Sequence, residues 1–216
     1  MSVPGPHRYA GSPACARDLA VTARVWGGSP VLQVAGVFVF LTYLTLPVLV
    51  AVRSRTGGTA RSTLDGERER SFLCRLVGIS GEAGWRGGIA NPRVRRMATA
   101  LLSRHRRFPG MRPEYLRFVA TLVALAPLRV RDRFGLPVPD RSAYWRYMAQ
   151  ALALVGGCAA TEAAGTALVA EFVAVHCGPS VEGTRLHASL REHHPRYVTL
   201  AGPVLFGPSR GVLAGA

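Results

Sequence analysis

The chain has 216 residues, enough for one domain with a sizeable core. Hydrophobic residues make up 49% and charged residues 18%, which excludes disorder along the whole length. The net charge of +15 would ordinarily point to nucleic acid or an anionic membrane, but all 27 basic residues are arginine and lysine is absent. A composition of that kind reads as GC-rich coding bias and argues against a dedicated nucleic-acid binder, which would use both cations.

Residues 1–29 are rich in Pro, Gly and Ser without a sustained period, and read as a flexible N-terminal arm before a domain spanning 30–216. Val31 to Val52 follows with no charged residue. As one helix it would span roughly 33 Å, enough to cross a bilayer. Pro47 and the hydroxyls of Thr42, Tyr43 and Thr45 make it a less clean span, so membrane association through Val31–Val52 and a buried core helix both stand as readings. Residues 53–70 form an arginine-rich polar connector, and a short helix is expected near Ser71–Val77.

Asn91 is a good N-cap and Pro92 suits the first helical position, so a helix is expected from there to about Arg107. Its apolar stripe runs through Val94, Met97, Ala98, Leu101 and Leu102, and carries His105 onto the same buried face. A strongly apolar helix is expected from about Pro113 to Ala126, stopping at Pro127. The following stretch, PLRVRDRFGLPVPD, reads as a loop. Asp140 caps the next helix, which Gly156 and Gly157 end. Thr161 to His176 and a last helix from Ser180 to before Pro195 complete an all-α, single-domain expectation. No stretch alternates like a strand.

Chemistry-bearing residues are few. A histidine on a buried stripe needs a partner for each nitrogen, either an ordinary hydrogen bond or a metal. No His or carboxylate lies three or four positions from His105, so zinc is disfavoured, whereas haem needs one axial histidine. His176, His193 and His194 stand at helix ends, where a cation suits the dipole, and His187 could face the core or a pocket. Cys15, Cys74, Cys158 and Cys177 have neither zinc-knuckle nor redox spacing and read as free thiols. No nucleophile elbow, P-loop or dinucleotide fingerprint occurs.

Several segments, in order, resemble the MpaB / rubber oxygenase (latex-clearing protein) family. They are LTYLTLPVLVAVRSRTG, RMATALLSRHRRFPGMRPEYLRFVATLVALAPLRVRDRFG, YWRYMAQALALVG and EFVAVHCGPSVEGTRL, and together they lie within residues 35–216. The resemblance implies a helical fold holding haem b and an O2-dependent oxygenase acting on an apolar, isoprenoid-like substrate. By position it makes His105 the proximal iron ligand. Arg129, in a Pro-x-Arg loop, and Arg146, in a Trp-Arg helix, become cofactor-binding candidates. Arg61 and Asp65 are the nearest counterparts of the distal block, and the distal lysine of rubber oxygenase has no equivalent here. The alternative is a family member that kept the fold and lost the chemistry, serving as a membrane-associated or partner-binding helical protein. The expected location is the cytoplasm or a membrane surface.

Overall fold

A computed structural model describes residues 6–27, 31, 32, 34–36, 39, 42, 46–55, 71–178, 180–193, 195, 196, 198 and 199. The described residues form helices and turns without a strand, in agreement with the all-α expectation.

The N-terminal segment departs from the expected flexible arm. A short helix α1 (Pro6–Ala10) leads into α2 (Pro13–Trp26), with Pro13 in the first turn and Ser12 as N-cap, its Oγ accepting from the Cys15 amide at 3.2 Å. The buried face of α2 carries Cys15, Asp18, Val21, Thr22, Val25 and Trp26. The 3.6-residue spacing is present, but Asp18 and Thr22 sit on the apolar face and dilute the hydrophobic signal. Burial of Tyr9, Val25 and Trp26 makes this segment part of the core.

The apolar run from residue 31 is divided. Leu46 is not helical, and α3 (Pro47–Arg55) begins at the proline, with Leu46 O accepting from the Leu49 and Val50 amides. Proline has no N–H to continue a preceding helix and its ring crowds the carbonyl four residues back. Val31, Val34, Ala35, Leu46, Leu49 and Val50 are buried in the common core. Among the described residues no helix is long and apolar enough to cross a membrane.

Residues 71–76 are helical, and a loop with two 3-10 turns leads to α4 (Pro92–Arg106). Asn91 caps α4 as expected, Oδ1 accepting from the Arg93 amide at 2.9 Å. The next helix does not stop at Pro127: α5 runs from Pro113 to Arg133. One lost main-chain bond does not end a helix whose two faces are both packed. Near the proline, Tyr144 donates its hydroxyl proton to the Ala124 carbonyl at 2.6 Å. Arg129, Arg131, Asp132 and Arg133 therefore lie on helix rather than in the loop the sequence suggested.

Helix α6 (Arg141–Leu152) begins at its Asp140 cap and buries Tyr144, Trp145, Tyr147 and Met148 against α2 and α5. Gly156 and Gly157 follow with positive φ, as the expected terminator requires. Helix α7 (Glu162–His176) lies antiparallel on α5. Phe172 stacks on Phe118 with ring centroids 4.2 Å apart, and Gly165 lets Trp145 approach. Helix α8 (Val181–His193) touches α3.

Candidate functional site

His105 occupies the last turn of α4, and Asn91 and Pro92 fix where that helix starts. The expected stripe is only partly buried. Val94 and Ala98 are fully enclosed, whereas Met97, Leu101 and His105 are half-buried. The helix emerges from the core toward its C-terminus. The His105 ring lies 5.5 Å from the Phe108 ring at an interplanar angle of 57°. Arg104 also approaches Phe108, its guanidinium carbon 5.8 Å from the ring centroid.

Arg129 is exposed and donates to the Thr166 hydroxyl at 3.3 Å, linking α5 to α7. Arg146 lies on α6 and points to α2. Its Nε donates to Asp18 Oδ2 at 2.7 Å and its Nη2 to Asp18 Oδ1 at 2.8 Å. Tyr9 donates to the same Oδ2 at 2.6 Å, and Asp18 is fully buried. Burial alone would raise the Asp18 carboxyl. Hydrogen bonds from Arg146 and Tyr9 outweigh that and hold it below the usual carboxylate range. The Tyr9 phenol is pushed up, first by burial and then by its bond to Asp18. The three candidates thus have three different neighbourhoods: His105 with Phe108, Arg129 with Thr166, and Arg146 with Asp18.

The Arg146–Asp18–Tyr9 cluster was not legible in the sequence, because its members stand 128 and 9 positions from one another. A bidentate arginine–carboxylate fork is a strong, oriented contact. Arg131 was missed for the same reason. Its Nε and Nη2 donate to the Val25 and Arg24 carbonyls at 2.7 and 2.6 Å, and its Nη1 to Pro137 O at 2.7 Å. It therefore caps the C-terminus of α2, where carbonyls lack intrahelical donors.

The remaining candidates are dispersed. The His176 ring lies 4.4 Å from Phe172 and 6.3 Å from Tyr115, half-buried rather than solvated. His187 is half-buried, and burial followed by the nearby Arg191 charge lowers its pKa. No disulfide joins any two of the four cysteines, and burial pushes the Cys158 thiol up to about 11, which keeps it a thiol at neutral pH. Arg61 and Asp65 lie outside the described residues. No group of three or more His, Cys, Asp or Glu side chains among the described residues could hold a metal ion.

A haem implied by the resemblance finds a partial fit. His105, on a rigid helix beside an aromatic ring, suits an axial role, which takes one nitrogen. Arg146 does not suit a haem carboxylate, because the fork that would grip it is given to Asp18. The chain matches no family model, no curated protein and no solved structure.

Proposed function

We propose that this helical domain binds haem b through His105 and acts as an O2-dependent oxygenase on an apolar, isoprenoid-like substrate. The observation that carries the reading is the position of His105. It is a half-buried histidine at the end of a well-capped helix, against Phe108, at the place where the ordered family-like motifs put the proximal ligand. Haem, when bound, supplies the oxygen chemistry; the protein holds the iron and limits water around it. Arg146 takes no part in holding the cofactor in this reading and serves the fold instead.

The Asp18–Arg146 pair favours a second reading. A family-like arginine committed to an internal carboxylate is what a domain would show if it kept the fold and lost the chemistry. A visible spectrum of the protein expressed with ample haem separates the two. A Soret band with about one iron per chain supports the oxygenase. A folded, colourless protein that stays colourless when haem is added supports the non-catalytic helical protein.

A further inference from the structure

We propose that one end of the molecule, formed by the turn between α4 and α5 and the connection between α7 and α8, seats on the surface of an anionic lipid bilayer. Four arginines fall between Arg104 and Arg112, with no carboxylate among them. Arg106 and Arg107 are exposed, and among the described residues neither has a carboxylate partner. Arg112 is also exposed and shares Glu114 at 3.7 Å, a surface pair too solvated to neutralise it.

Ring contacts bring the second element to the same place. The Arg112 guanidinium carbon lies 5.9 Å from the Tyr115 ring centroid, and the Tyr115 ring lies 6.3 Å from that of His176. Val175 directly precedes His176 and is 71% exposed, and Val181, which opens α8, is 73% exposed. Val175 therefore lies in the turn of α7 that these ring contacts bring to Arg112, and Val181, followed in the sequence by Glu182, opens the next helix. Glu171, one turn back on α7, is exposed and is the nearest other carboxylate along that helix.

The combination selects the partner. Arginine forks match phosphate oxygens on any polyanion, but a nucleic-acid backbone offers nothing to protruding valines. A bilayer offers both: a negative headgroup layer and, just beneath it, an apolar boundary for the aliphatic tips. The opposite end of α5 lies about 30 Å away by helical rise. It also exposes apolar side chains, Phe134 and Leu136, beside the exposed Arg133, but there carboxylates accompany the arginines. Asp132 and Glu162 pair with Arg141 there, and Arg131 is occupied by main-chain carbonyls.

The test is co-sedimentation of the full chain with vesicles of phosphatidylcholine alone and of equal parts phosphatidylcholine and phosphatidylserine. Binding is expected to the mixed vesicles only, and to weaken with salt. Replacing Arg106, Arg107 and Arg112 together by Gln should weaken it on the order of 100-fold, at about five-fold per arginine. Removing the same charge elsewhere, with Arg86→Gln, Arg93→Gln and Arg133→Gln combined, should weaken it far less. Val175→Ser with Val181→Ser should lower vesicle affinity while leaving retention on duplex DNA unchanged. Circular dichroism identifies any variant that fails to fold, and the valine pair then decides alone. The proposal is overturned if the wild type ignores mixed vesicles or if both arginine triples behave alike. It is also overturned if duplex DNA binds more tightly than vesicles and the valine changes have no effect on vesicle binding.

Discussion

Asp18 and Arg146 form a two-pronged ion pair between α2 and α6, with both donor–acceptor distances below 3 Å and the carboxylate fully buried. Tyr9 completes the shell from α1. The pair ties the first helices of the chain to its centre. Breaking it should leave a buried charge or donors without partners. Asp18→Ala is expected to cost about 2–4 kcal/mol. The loss should fall short of the largest known, because the Arg146 side chain is 41% exposed and water can reach it. Urea unfolding of wild type and variant reads the difference; a loss below about 0.5 kcal/mol would mean that the contact contributes no more than an ordinary surface pair.

The same cluster sets a pH dependence. The folded Asp18 carboxyl titrates below its unfolded value, so its contribution is complete above about pH 4 and fades as pH falls toward the folded value. The Tyr9 phenol is shifted the opposite way, so its contribution is complete below about pH 10 and fades as pH rises beyond. Thermal melts across pH should show both limbs. Tyr9→Phe should remove the tyrosine's share of the alkaline limb while keeping most of the acid one. An unchanged alkaline limb would assign that limb to other groups.

Tyr147 holds the loop before α4. Its hydroxyl donates to Leu76 O at 2.6 Å and accepts from the Ile89 amide at 3.1 Å, and burial raises the phenol well above its ordinary range. Tyr147→Phe should cost about 1–3 kcal/mol through the two main-chain groups left unpaired. Gly88 must stay glycine, because its φ is +53° and an added Cβ would lie 2.0 Å from the Tyr147 oxygen. Gly88→Ala should lower the melting temperature at least as much as Tyr147→Phe; a smaller shift would show that the loop relaxes freely.

Truncation gives a sharper test of the N-terminal helices. Deleting residues 1–26 removes the buried Val25 and Trp26, the Asp18 fork and two of the three carbonyls that Arg131 caps. The truncated chain is expected to lose cooperative unfolding. A truncated protein that melts like the full chain would restore the flexible-arm description.

Local signals were legible and distant ones were not. Asn91–Pro92, Asp140, Thr161 and Gly156–Gly157 bound their helices because caps and positive-φ glycines act within a few residues. Helix α2 was missed because its inward face includes Asp18 and Thr22, whose burial makes sense only once Tyr9 and Arg146 are in place. Pro127 gave a stop signal that packing on both sides of α5 overrode. His105 was read correctly as helical, but it stands in the last turn of α4, where burial depends on what the rest of the fold packs against that turn. A stripe of apolar residues does not encode that.

The most direct test of the haem assignment is a haem titration of wild type, His105→Ala and Arg146→Gln, followed in the Soret region. The account predicts that wild type binds about one haem per chain. His105→Ala should lose the Soret band while keeping its helicity, since alanine is a better helix former. Arg146→Gln should lose stability but, where it remains folded, still bind haem. A His105→Ala protein that binds haem as wild type does, or a wild type that binds none, would contradict the assignment.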